Sequence, residues 1–119
     1  MRSWIPAVLL VLMLASAAAL ASKPAPVRVL YIDGQIDPAT ADYIREGILS
    51  AQRNSAQAVL VLMDTPGGLM DSMQSIVETF LSSSVPVIVY VYPDGATASS
   101  AGTFIAMAAN VAAMSPVSS

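Results

Sequence analysis

The 119-residue sequence has no cysteine and no histidine, and charged residues make up only 11% of it. These absences exclude a Ser-His-Asp triad, a cysteine nucleophile, a His/Cys zinc site and a disulfide within these residues. Five Lys and Arg residues against eight Asp and Glu give a net charge of −3, and no basic run is present. This balance argues against a nucleic-acid partner. The sequence predicts no metal and no other cofactor, and its length allows at most one small domain.

The first 21 residues have the pattern of a secretory signal peptide. Arg2 provides a positive start, residues 5–14 form an apolar segment, and residues 19–21 before Ser22 fit a small-x-small cleavage site. The alternative is an uncleaved membrane anchor, because the uncharged stretch 3–22 has 20 residues. In both cases we expect the remaining chain to be exported to the extracytoplasmic or periplasmic face.

Residues 22–26 predict an extended linker, because each proline disfavours helix before it. Beyond them, apolar and β-branched runs alternate with stretches whose apolar residues recur three and four positions apart. Asp37 can cap a helix that starts at Pro38, and Leu69 begins the apolar stripe of the next helix. The predicted strands are 27–32, 58–63, 85–91 and 111–114, and the predicted helices are 38–53, 69–80 and 100–109.

This alternation predicts an α/β fold with a mostly parallel sheet, right-handed crossovers and helices packed on its faces. The sequence stops just after a strand, where a sheet of this kind would continue. We therefore expect residues 27–119 to be the N-terminal part of a larger domain that is incomplete at its C-terminus.

Two loops follow strands at the edge where parallel sheets bind ligands. Residues 64–68 include Gly67 and Gly68, whose backbone amides can approach a ligand closely because no Cβ intervenes. Residues 92–99 lead to Ser100 at a predicted helix N-terminus. A serine nucleophile with an oxyanion hole needs this combination. The alternatives are an ordinary helix cap at Ser100 and a plain glycine turn, and composition does not decide between them.

Three segments carry a family resemblance: Val-Leu-Met-Asp-Thr-Pro-Gly-Gly-Leu at 61–69, Val-Pro-Val-Ile-Val-Tyr-Val at 85–91, and Ala-Ser-Ser-Ala-Gly-Thr at 98–103. With Ile-Asp-Gly-Gln-Ile-Asp-Pro at 32–38, they resemble the ClpP-like serine protease domain of the NfeD family. Members are membrane-bound serine proteases associated with stomatin-type proteins. The resemblance covers nearly all of 27–119 and implies a ClpP/crotonase-like fold.

The resemblance also implies site residues. Ser100 matches the nucleophile, the amides of Gly68 and Ala101 match the oxyanion donors, and Gly67 shapes the turn. The general base of the family is a lysine several tens of residues after the serine. The only lysine in this sequence is Lys23, which lies in the proline-rich linker before the first strand, so we do not expect it to be the base.

The acidic residues near the loops are poor substitutes for that base. We expect Asp64 to support the site by bracing its own turn through local hydrogen bonds. Asp71 suits the dipole of a helix N-terminus, and Asp94 is expected in a solvated loop.

The resemblance implies an exported, membrane-associated serine endopeptidase of the Ser-Lys type, acting as a homo-oligomer. Its expected substrates are hydrophobic segments of membrane-protein partners, a stomatin-like protein among them. The alternative is a catalytically inactive fragment or pseudo-protease that lacks the lysine and serves as a binding or structural module. A crotonase-like acyl-CoA enzyme is a third reading, but it gives Ser100 no role.

Overall fold

The computed structural model describes residues 3–20 and 23–119. The elements are α1 (Ile5–Leu20), β1 (Val27–Asp33), α2 (Pro38–Arg53), β2 (Ala58–Asp64), α3 (Met70–Leu81), β3 (Val87–Val91), α4 (Ala101–Ala108) and β4 (Val111–Met114). Arg2 and the predicted cleavage site at Ala21 and Ser22 lie outside the described residues. Within the described ranges, no helix combines the length and the apolar character that a membrane crossing requires.

The four strands β1 to β4 form one parallel sheet in the order of the sequence. This confirms the predicted α/β fold with its alternating units. Helix α2 packs against α3, and α3 packs against α4, so these three helices lie side by side on one face. Among the described residues, the prediction that helices pack on the faces of the sheet is therefore confirmed for one face only.

The hydrophobic core lies between the sheet and this helix layer. The strands contribute Leu30, Ile32, Val59, Val61, Met63, Val87, Val89 and Val91, and the helices contribute Ile44, Ile48, Ile76, Phe80 and Ile105. Side chains alternate between the two sides of a strand, so the neighbours of these strand residues point to the other face. Tyr31 on that face is 60% exposed.

Three elements begin later than predicted: β3, α3 and, by one residue, α4 at Ala101. The first two have local reasons. Strand β3 starts at Val87 because Pro86 has no N–H to donate to a neighbouring strand, although its carbonyl accepts the Val59 N–H at 2.8 Å. Helix α3 starts at Met70, and Leu69 is 57% exposed. The prediction that Leu69 belongs to the buried stripe is wrong, and Ser72 is buried in the stripe instead.

Helix α2 begins where the sequence predicts it, at Asp37 and Pro38. The Asp37 carboxylate accepts the Thr40 N–H at 2.7 Å and the Thr40 hydroxyl at 2.9 Å. These bonds stabilise the ionised form, so the Thr40 amide first and its hydroxyl second lower the pKa of Asp37 below 3.8.

We predict that the Asp37 cap stabilises the protein less in acid. A lowered folded-state pKa gives stability that is complete above the unfolded value of 3.8 and is lost as the pH falls through the folded value. Asp37→Asn keeps a good capping group without a titrating charge. As the pH is lowered from 7 to about 3, the melting temperature of wild type should fall relative to that of Asp37→Asn. A pH-independent difference would contradict this assignment.

Candidate active site

The two loops at the carboxyl ends of β2 and β3 are joined by backbone hydrogen bonds. Thr65 N donates to Thr97 O at 2.7 Å, Ser99 N donates to Thr65 O at 3.1 Å, and Thr65 pairs with Ala98 in a parallel bridge. The Asp64 carboxylate accepts the Thr97 N–H at 2.9 Å. Asp64 therefore braces the neighbouring loop, and the prediction that it braces its own turn is wrong. The register of the two loops is fixed by these contacts.

Gly67 lies directly against Ser100. A Cβ on Gly67 would be 2.8 Å from Ser100 Cβ and 3.2 Å from Ser100 Oγ, and Gly67 has a φ of +111°. Both the backbone angle and the space require glycine here. The structure thus brings together the glycine turn and the serine that the sequence singled out separately.

Ser100 precedes α4 but does not cap it in the ordinary way. Its φ is 52° and its ψ is −115°, and its side chain makes no capping hydrogen bond. A capping serine has an extended backbone and accepts an amide of the first turn. Positive φ in a residue other than glycine is uncommon, and such strain is concentrated at functional sites. The alternative of a plain helix cap does not describe this residue.

Two backbone amides beside Ser100 have no acceptor among the described residues: those of Gly68 and Ala101. The amides of Gly67 and Gly102, by contrast, donate to Thr65 Oγ1 at 3.1 Å and to Ser99 O at 2.9 Å. Unpaired N–H groups at a helix start and at a glycine turn attract negative charge.

The Gly68 peptide is held on one side by Ile36. Ile36 N donates to Gly67 O at 2.9 Å, and Leu69 N donates to Ile36 O at 2.8 Å. Because N–H and C=O groups alternate in direction along an extended segment, the N–H and C=O of Gly68 face away from Ile36. No described residue pairs with either group. They form a short free strand edge next to the serine loop.

Lys23 lies far from these groups. It is exposed and precedes β1, whereas Ser100 follows the opposite, carboxyl edge of the sheet. The seven residues of β1 separate the two edges, which is about 23 Å at strand rise. Asp71 and Asp94 are exposed. Among residues 3–20 and 23–119, no cluster of three or more Asp, Glu, His or Cys residues could hold a metal ion.

Sequence reasoning missed Thr65 and Thr97, which join the loops. The Thr97 hydroxyl donates to Thr65 O at 3.0 Å. The Thr65 hydroxyl bonds Gly67, two residues further along the chain. A threonine two residues before a glycine is a known turn signal, so Thr65 could have been identified, whereas the partner of Thr97 is 32 residues away.

The fold and this pair of loops define a ClpP-like α/β protein. The structure superposes on a ClpP1 mutant from Listeria monocytogenes with a TM-score of 0.64 and 22% identity, over 69% of this chain and 46% of that one. That likeness shows the fold alone.

Sequence comparison then places the chain in a particular family. Residues 26–119 match the model of the NfeD1b N-terminal domain. The membrane-bound protease PH1510 from Pyrococcus horikoshii is 46% identical over 90 residues, which are 76% of this chain and 20% of that protein. This chain belongs to the NfeD1b N-terminal domain family, which confirms the resemblance found in the sequence.

A solved structure is similar in both sequence and fold. It is a lysine-to-alanine mutant of the 1510-N membrane-bound stomatin-specific protease in complex with a substrate peptide. It superposes with a TM-score of 0.78 at 42% identity, over 82% of this chain and 44% of that one. The chain thus spans about a fifth of the curated relative and less than half of the solved one.

Proposed function

We propose that this chain is the N-terminal part of an exported, membrane-associated serine endopeptidase in which Ser100 is the nucleophile. The observation that carries the proposal is the backbone of Ser100, at φ 52° and ψ −115° with no capping bond. Within the part of the chain that the structure describes, the Ser100 hydroxyl and the nearby amides of Gly68 and Ala101 have no hydrogen-bond partner. In this proposal residues 1–21 are the signal peptide or anchor, 22–26 the linker, and 27–119 the protease part.

In the proposed reaction Ser100 Oγ attacks the scissile carbonyl carbon, and its proton passes to a general base. The carbonyl oxygen becomes an oxyanion, which is bound by the N–H group of Gly68 in the glycine turn and that of Ala101 at the start of α4. Collapse breaks the C–N bond, releases the amine with a proton from the base, and leaves an acyl-enzyme. Water then hydrolyses the ester and restores the serine.

The base in this proposal is a lysine that these 119 residues do not contain. Lys23 is excluded by its place at the far edge of the sheet. A solved relative carries a lysine-to-alanine substitution together with a substrate peptide, which supports a lysine base in the family. Such a lysine must be desolvated to be neutral and accept the serine proton.

The free strand edge at Gly68 supports a peptide as substrate. An extended peptide can pair with its N–H and C=O, as in strand addition. Exposed apolar side chains next to the site, namely Leu69 and Met70 at the start of α3 and Tyr92 after β3, favour a hydrophobic segment. The relative's specificity for stomatin supports a stomatin-like membrane protein as the partner. We also propose assembly into a homo-oligomer, on the family resemblance alone.

One observation favours a second candidate, an inactive binding or structural module. The single lysine present lies away from the serine, so residues 22–119 alone should not turn over substrate. Ser100-dependent proteolysis by residues 22–119 alone would exclude the inactive reading.

A serine-directed fluorophosphonate probe tests the nucleophile in the full-length protein. We expect labelling of wild type, and a loss of at least about 100-fold in Ser100→Ala, because the reacting oxygen is removed. Ser99→Ala is the matched control, since Ser99 is the exposed neighbour and its variant should label like wild type. Equal labelling of wild type and Ser100→Ala would reject the assignment.

A further inference from the structure

We propose that Thr65 is a positioning residue that fixes the oxyanion amide of Gly68 relative to Ser100. The inference rests on the proposed function and adds to it a residue that touches neither substrate nor the reacting atoms. Thr65 is fully buried at the end of β2, between the two loops. Its hydroxyl, its main chain and its methyl group each contact a different part of the site.

The hydroxyl of Thr65 holds Gly67. Oγ1 accepts the Gly67 N–H at 3.1 Å and lies 3.4 Å from Gly67 O, to which it can donate. The carbonyl of Gly67 and the N–H of Gly68 belong to one planar trans peptide, so they point in opposite directions. Ile36 N also donates to this carbonyl, at 2.9 Å. When the position of Gly67 O is fixed, the direction of the Gly68 N–H in the same peptide group is fixed as well.

The main chain and methyl group of Thr65 hold the serine side. Thr65 O accepts the Ser99 N–H at 3.1 Å, one residue before the nucleophile. The methyl group packs closely against Gly102 in the first turn of α4: a Cβ on Gly102 would lie 2.6 Å from Thr65 Cγ2. One buried residue thus links the turn that carries one oxyanion donor with the helix start that carries the other.

This arrangement predicts that the hydroxyl matters more for turnover than for substrate binding. Preorganised donors contribute where charge develops in the transition state, and misplacement of about 1 Å can cost on the order of 100-fold in rate. Ground-state binding of a peptide does not depend on the oxyanion geometry in the same way.

The experiment compares Thr65→Val, which replaces the hydroxyl by a methyl group, with Thr65→Ser, which keeps it. In the full-length protein we expect Thr65→Val to lower kcat by about 30-fold with KM within about threefold of wild type, and to slow fluorophosphonate labelling similarly. Thr65→Ser should stay within about threefold of wild type in both. Thr79→Val is the control, because the Thr79 hydroxyl bonds Ser75 O within α3, away from the site. It should behave like wild type.

Thr65→Ala and Thr65→Ser form a second pair in case Thr65→Val fails to fold, since both lack the methyl group and differ only in the hydroxyl. Labelling of Thr65→Ala at least about 10-fold slower than Thr65→Ser supports the inference. Equal rates in either pair would overturn it while leaving Ser100 as the nucleophile. Absence of labelling in wild type would instead reject the proposed function itself.

Discussion

Replacing Gly68 by alanine is expected to lower the free energy of unfolding by about 3 kcal/mol or more. A Cβ at this position would lie 2.1 Å from Ile36 O and 2.6 Å from Ile36 N. These are backbone atoms, which cannot rotate away as a flexible side chain would. The strand-like bridge between Ile36 and Gly68 must therefore open, and its hydrogen bonds at 2.9 and 2.8 Å are lost.

Gly34→Ala is the matched control for this prediction. Gly34 has a φ of +101° but nothing within 4 Å of a Cβ, so its variant tests backbone strain without a clash, at about 1 kcal/mol. Urea unfolding of both variants measures the difference. A loss in Gly68→Ala no larger than in Gly34→Ala would show that the Ile36 contact is not tight in solution.

The strands and helices could be predicted because each signal is local. Strand β2 is indicated by a continuous apolar run, and the start of α2 by the Asp37–Pro38 pair. Both signals depend only on residues that are neighbours in the sequence. The one-sided helix layer could not be predicted, since it depends on the order in which strands pair. The stripe of α3 was partly missed because Ser72 is small enough to be buried, while Leu69 lies just before the helix and stays exposed.

The structure brings together the candidate residues that the sequence singles out, but the contacts that each of them makes could not be predicted. Two successive glycines look alike in a sequence, yet the structure constrains them differently. A Cβ on Gly67 would contact Ser100, whereas a Cβ on Gly68 would contact the backbone of Ile36. Likewise, an aspartate after a strand signals a turn, but the partner of Asp64 is the amide of Thr97 in another loop. The side-chain hydrogen bonds between the two loops join residues 32 or 33 positions apart. They follow from strand register, which no local pattern encodes.

Gly67→Ala is expected to reduce fluorophosphonate labelling of Ser100 by about 100-fold or more while the protein remains folded. The added methyl group would sit 2.8 Å from Ser100 Cβ and 3.2 Å from its Oγ. Rotation of the hydroxyl relieves the contact with Oγ but not the one with Cβ, so the backbone of Ser100, which is already at positive φ, must shift. That shift moves the hydroxyl relative to the neighbouring amides. Labelling kinetics at matched folded fraction measure this effect.

Gly95→Ala separates the contact from the cost of positive φ. Gly95 lies in the loop before Ser100 and has a φ of +82°, but no atom within 4 Å of a Cβ. Its variant should lose about 1 kcal/mol of stability, as expected for a non-glycine residue at positive φ, and keep wild-type labelling. If Gly67→Ala labelled as fast as Gly95→Ala, the close approach of Gly67 to Ser100 would have no part in placing the nucleophile. The site would then depend on the Thr65 and Asp64 contacts alone.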